Sequence, residues 1–185
     1  MLDWDARYSS GEYSSTKRPS RLLAELFYLL PKKGRVLDIA CGEGRNALFL
    51  AENDYDADAI DISGVAIERG RLLAAKSGVK INFIHADLES YKIPAKTYDL
   101  IINFNYLQRT LVPKIKKGLK KGGVIIFETF TLEQQKIGPP KNPSFLLKPN
   151  ELLKLFKDFH ILFYREGIFK ERKKKAIASL AAKKP

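Results

Sequence analysis

Val36-Leu37-Asp38-Ile39-Ala40-Cys41-Gly42-Glu43-Gly44-Arg45-Asn46-Ala47 reads as a short buried strand, a tight acidic turn and the start of a helix. Gly42 and Gly44 let the backbone bend sharply and approach a ligand with no Cβ in the way. The first N–H groups of a helix are unpaired donors, so the turn suits a polar or anionic ligand group. Gly-x-Gly-x-x-Ala by itself also fits a dinucleotide-binding turn. Asp38, four positions before Gly42, shifts the balance. A carboxylate fixed at the strand mouth would repel a pyrophosphate and attract a cationic ligand group.

Two more acids follow at strand ends. Asp56-Ala57-Asp58-Ala59-Ile60 runs into Asp61, 61 − 42 = 19 positions past the first glycine. An acid meets ribose hydroxyls at about 20 residues in Rossmann-type folds. The apolar run from Val79 to Ile84 ends in His85-Ala86-Asp87-Leu88. Asp87 there would accept a hydrogen bond from an adenine amino group, with Leu88 as an apolar and backbone contact. A fourth run, Asp99-Leu100-Ile101-Ile102-Asn103-Phe104, empties into Asn105-Tyr106. Four strand ends carrying Asp38, Asp61, Asp87 and Asn103 are far more specific than any one of them.

This constellation resembles the class I S-adenosylmethionine-dependent methyltransferases over essentially the whole chain. Trp4-Asp5-Ala6-Arg7-Tyr8, the turn Leu37 to Asn46 and Gly138-Pro139-Pro140-Lys141 look most like the small tellurite-resistance-like and thiopurine-type branch. Ala40 departs from the glycine usual in the class, although alanine is common in this branch. The resemblance implies a doubly wound α/β fold with a seven-stranded, mostly parallel sheet and a C-terminal antiparallel strand. It implies S-adenosylmethionine as cofactor, held by Asp38, Ala40, Gly42, Gly44, Asn46, Asp61, Ile62, Asp87, Leu88 and Asn103. It also implies that residues after the fourth strand line the junction of cofactor and acceptor, which makes Asn103, Tyr106 and Tyr8 candidate catalytic residues.

The 185 residues suit one domain, read as a lid or helical segment over 1–31, a cofactor-binding core over 32–130 and a substrate side over 131–185. A hydrophobic share of 45% with a mean hydropathy of −0.23 places the chain among globular proteins. No apolar run approaches the ~20 residues of a membrane span. The opening Met1-Leu2-Asp3-Trp4-Asp5 lacks a basic region followed by an apolar stretch, and one cysteine permits no internal disulfide. A cytoplasmic protein is expected. His85, His160 and Cys41 match no zinc spacing, so no metal is expected, and Cys41 reads as a packing residue.

Net charge is +12, unevenly spread. Residues 1–100 hold 14 Lys and Arg against 15 Asp and Glu, leaving 19 against 6 for residues 101–185. Either the second half has a solvated lysine-rich surface, or it attracts an acidic substrate or RNA.

By pattern, a helix starts at an N-cap Ser20 and stops at Pro31, and helices cover 44–53, 64–77 and 109–120. Val65, Ile67, Leu72 and Leu73 form the apolar positions of the third of these four. Strands and helices thus alternate, as in a parallel sheet covered on both faces. Gly122-Gly123 launches a fifth strand from Val124 to Phe130, and a Pro- and Lys-containing stretch from Thr131 to Pro149 reads as a binding loop. A helix over Glu151 to Phe156 follows. His160 to Tyr164 and Ala176 to Ala181 are the expected terminal pair, with Lys170 to Lys175 as its exposed turn.

Trp4, Tyr8 and Tyr13 read either as rings packed on the core or as a lid, with Arg7, Lys17 and Arg18 reaching an anionic substrate. Asn105-Tyr106 lacks the Asp/Asn-Pro-Pro-Tyr pattern of amino-directed nucleic-acid methyltransferases. The expected acceptor is a small molecule, a thiol or a metalloid or chalcogen oxyanion, since no residue announces itself as a general base. An RNA methyltransferase using the basic second half is the alternative. A nicotinamide-binding oxidoreductase, disfavoured by Asp38, and a non-catalytic module keeping the pocket are further readings. The sequence fixes neither the oligomeric state nor the atom methylated.

Overall fold

The computed structural model describes residues 3–11, 18–170 and 173–185. Seven strands form one sheet in the order β3-β2-β1-β4-β5-β7-β6. They are β1 Arg35–Ile39, β2 Asp56–Asp61, β3 Ile81–His85, β4 Tyr98–Phe104, β5 Leu119–Phe130, β6 His160–Lys170 and β7 Lys174–Lys183. The first five run parallel, and β7 enters antiparallel to both β5 and β6. This is the doubly wound α/β sheet with a terminal antiparallel pair. The order reverses direction at β1, and ligands of open α/β sheets bind at that crevice beyond the strand ends.

The strands form where β-branched and aromatic residues run together, and their alternation feeds two cores. Leu37, Ile39, Ile101, Ile125 and Phe127 face one, and Val36, Leu100, Ile102, Val124 and Ile126 the other. The helices are α1 Trp4–Ser9, α2 Arg21–Glu25, α3 Arg45–Ala51, α4 Gly64–Ser77, α5 Val112–Gly118 and α6 Glu151–Leu155. α4 matches its expected span, because Ser63 Oγ accepts from the Ala66 N–H and Gly78 closes it at a φ of +70°.

Its buried face differs from expectation. Leu72 is 63% exposed, whereas Ala66, Ile67, Gly70 and Ala74 face inward. A Cβ on Gly70 would lie 2.5 Å from the Phe83 ring, so the helix packs on β3 too closely for large side chains.

Other boundaries also move. The expected helix after Ser20 is α2 followed by a 3₁₀ turn over Phe27–Leu29. Ser20 makes no side-chain cap; its N–H and Oγ–H donate to Asn46 Oδ1 at 2.8 and 2.9 Å. The 109–120 helix opens with a 3₁₀ turn and ends at Gly118, where β5 already begins. Gly122 therefore sits inside an irregular strand entry rather than before it, with the register shifting between the Tyr98 and Leu100 pairs. The terminal strands are longer than their apolar cores because pairing continues outward to Lys170 and Lys174.

Candidate active site

A cavity of about 790 Å³ opens at the carboxyl ends of β1, β2, β3 and β4. The turn after β1 forms its floor. Ala40 takes a φ of +51°, a left-handed conformation that costs a side-chain-bearing residue about 1 kcal/mol or more. Gly42 takes φ +58°, and a Cβ there would lie 2.4 Å from the Tyr8 hydroxyl, so glycine lets α1 lie directly over the turn.

Asp61 ends β2 and holds the floor in place. Its Oδ2 accepts from the Gly42 N–H at 2.7 Å and its Oδ1 from the Ser63 N–H at 2.9 Å. Burial raises its pKa against those hydrogen bonds. Asp87 follows β3 and lines the same space; its Oδ1 accepts from the Glu89 N–H at 2.8 Å. The stretch 88–91 is pinned from behind by Lys114, whose Nζ donates to the Leu88, Glu89 and Tyr91 carbonyls.

α1 roofs the cavity with Trp4 and Tyr8. Asp5 docks it on α4, its Oδ1 accepting from Ser63 Oγ at 2.6 Å and from the Val65 N–H at 3.1 Å. Arg69 donates to the Tyr8 carbonyl at 2.9 Å and pairs with Glu43 at 3.3 Å. Arg7 lies against the Trp4 ring at 4.9 Å. Tyr13 and Lys17 lie outside the described residues.

The far wall comes from β4 and the 131–149 loop. Tyr106 donates its hydroxyl to Gln108 Oε1 at 2.8 Å, and burial pushes its pKa up to about 12, so it stays a phenol. Asn142 and Phe145 project from the loop. Arg109 anchors that loop: it donates to both Glu151 oxygens at 2.6 and 2.9 Å and to the Ser144 and Leu146 carbonyls. That bond and charge hold the Glu151 carboxyl below its usual range.

Of the expected residues, Tyr8, Ala40, Gly42, Asn46, Asp61, Ile62, Asp87, Leu88 and Tyr106 line this one cavity. Asp38, Gly44 and Asn103 do not. Asp38 turns under the floor, 1% exposed, where its Oδ2 accepts from the Ala47 N–H. It therefore occupies the helix mouth that was expected to face a ligand, and burial pushes its pKa up to about 7. Gly44 is the N-cap of α3 and makes room for the Phe83 ring. Asn103, expected to face the methyl group, is 1% exposed and donates Nδ2–H to the Tyr106 carbonyl at 2.8 Å; its Oδ1 has no partner.

Sequence reasoning missed Arg45, Glu43 and Glu89 in the lining, and the anchors Lys114 and Arg109. Cys41 lines the floor with its thiol pKa raised by burial, as an inert thiol would have. Among the described residues no group of three His, Cys, Asp or Glu could hold a metal ion, and no helix is long and apolar enough to cross a membrane.

Two strand-end carboxylates and a tight turn thus meet around one open, ring-roofed cavity. Residues 36–123 match a family described as "Methyltransferase domain". This segment is therefore similar to methyltransferase domains. "Probable S-adenosyl-L-methionine-dependent methyltransferase TehB" of Haemophilus influenzae is 29% identical over 168 residues, 87% of this chain and 57% of its own. The chain thus spans little more than half the length of that relative. "Probable thiol methyltransferase 2" of Arabidopsis thaliana is 26% identical over 153 residues, 76% of this chain and 67% of its own. The crystal structure of TehB from Haemophilus influenzae superposes with a TM-score of 0.79 at 23% identity, covering 97% of this chain and 66% of that one. The two share one fold.

Proposed function

We propose that the protein transfers a methyl group from S-adenosylmethionine to a soft nucleophile on a small acceptor, a thiol or a chalcogen or metalloid oxyanion. The observation that carries this is the convergence of Asp61, Asp87 and the Gly42 turn on one cavity roofed by Trp4 and Tyr8. Asp61 would accept from the ribose hydroxyls and Asp87, through its free oxygen, from the adenine amino group, with Ile62 and Leu88 packing beside them. Bound there, the cofactor supplies a methyl already activated by its sulfonium.

The chain then has to orient and to exclude water. Trp4 and Tyr8 close the roof, their ring faces suited to a sulfonium. Tyr106, Asn142 and Phe145 shape the acceptor's side, and Asn103 sets the turn that presents Tyr106. No lining residue is placed as a committed base, which a readily ionised acceptor tolerates.

The lysines favour a small acceptor over RNA. Lys116, Lys117, Lys120 and Lys121 lie at the end of α5 and the start of β5, the opposite end of the parallel strands from the cavity. Lys114 is spent on backbone carbonyls. Lys173 to Lys175 lie at the β6–β7 turn, at the same end of the sheet as the cavity but displaced sideways, with β5 between β7 and the cavity-lining β4. A labelled-methyl transfer assay against small thiols, tellurite, selenite and total RNA tests the reading. Label on a thiol or an oxyanion is expected; label on RNA alone would overturn it.

A further inference from the structure

The end of the sheet opposite the cavity carries a row of cations that methyl transfer leaves without a task. Lys32 and Lys33 precede β1, Lys96 precedes β4, Lys117 and Lys121 stand on either side of the first residue of β5, and Lys183 ends β7. β7 runs antiparallel, so its end lies beside the entry of β5. These four strands are neighbours in the order β1-β4-β5-β7, and at about 4.8 Å per strand their ends span roughly 14 Å. All six side chains are exposed, and among the described residues no hydrogen bond or ion pair holds them. The backbone nevertheless keeps them close. The Lys96 N–H donates to the Lys117 carbonyl at 2.9 Å, and a Cβ on Gly122, next to Lys121, would lie 3.7 Å from Lys183 Cε. Of the acids nearby, Asp99 is taken by Lys120 at 2.8 Å and Asp158 by Lys116, while Asp54 and Asp56 lie beyond, at the entry of β2. Like charges held side by side repel, and a bound polyanion relieves that repulsion.

We propose that this face docks the phosphate backbone of double-stranded DNA, without regard to sequence and out of reach of the cavity. The bound duplex is therefore a partner and not a methyl acceptor. A bilayer surface takes an apolar wedge, a protein interface an apolar centre and a single strand a set of stacking rings. Among the described residues the large exposed apolar side chains Ile62, Leu72, Phe145 and Ile168 belong to other elements, and only Tyr28 precedes the row in the chain. Lysines alone, with no ring or wedge among them, match a phosphate backbone, which is bound by charge. The row is also long enough to reach phosphates on both sides of the B-form major groove, about 12 Å wide, whereas that of A-form RNA is narrow.

Fluorescence polarisation of the full chain with a labelled DNA duplex of about 20 base pairs and arbitrary sequence, read across a salt series, tests this. Wild type should bind and lose roughly 100-fold or more in affinity between 50 and 200 mM salt, as four or more phosphate contacts require. Replacing Lys117, Lys121 and Lys183 together by Gln should weaken binding at 50 mM salt at least about 10-fold and make the logarithmic salt slope shallower by about 2–3. If that variant melts early, Lys96→Gln with Lys183→Gln should still remove about 2 from the slope. Replacing Lys173, Lys174 and Lys175 by Gln changes the net charge equally at the other end and should leave the slope within about 1 of wild type. An RNA duplex of the same sequence should bind more weakly. Equal losses from the two triple variants would mean that diffuse net charge binds the duplex, and overturn the proposal. RNA bound as tightly as DNA, or phosphatidylserine vesicles bound while DNA is not, would overturn it as well by giving the face to another partner.

Discussion

Asp38 stands at the strand end where the sequence puts it, with its carboxylate turned beneath the cavity floor. Its position at the end of β1 follows from the apolar run Val36 to Ile39, yet its carboxylate serves the floor of the cavity instead of facing into it. The charged form loses more to desolvation than it regains from the Ala47 N–H and from Arg45. Since the folded pKa lies near 7 and the unfolded value near 3.8, the folded state binds the extra proton between them. Stability is therefore lost as pH rises through that window. Asp38→Asn removes the charge and keeps an acceptor for the Ala47 N–H. Melting temperatures of the ligand-free proteins should show the variant gaining roughly 3–6 °C on wild type between about pH 5 and pH 8. A difference that stays flat across that range would mean Asp38 is not held in a desolvating site.

At the scale of elements, the strands were legible because buried parallel strands leave continuous apolar runs. α4 was legible because Ser63 and Gly78 mark both its ends. What could not be read was which long-range partner a polar side chain finds. Ser20 looked like a cap and instead holds Asn46; Arg109 and Lys114, two of the charges of the basic second half, fasten loops. Alternation along β4 also hid Asn103, one position from the cavity-lining Phe104. The acids at the ends of β2 and β3 were legible because a strand end fixes position almost regardless of context.

The Arg109 anchor carries a prediction of its own. Arg109→Met should free the 143–147 stretch and with it Asn142 and Phe145, raising the KM for the acceptor by about 3- to 10-fold. The cofactor dissociation constant, read by calorimetry, should change by less than about twofold, because the Asp61 and Asp87 sides are untouched. Equal losses in both would show that the loop supports the whole cavity and not the acceptor wall.

Across the whole molecule, two charge patterns oppose each other. The chain is strongly basic, yet its cavity is lined by four acids and one arginine among the described residues. The lysine excess is divided among the far end of the parallel strands, the 131–149 loop and the terminal hairpin, and no lysine is among the described residues that line the cavity. An acidic, ring-roofed cavity suits a ligand with positive centres and repels a bis-anionic pyrophosphate. Isothermal calorimetry of the purified chain with S-adenosylmethionine, S-adenosylhomocysteine and NADH tests that discrimination most directly. Saturable one-to-one binding of both adenosyl compounds with none for NADH is the predicted result; tight NADH binding with none for the adenosyl pair would contradict it.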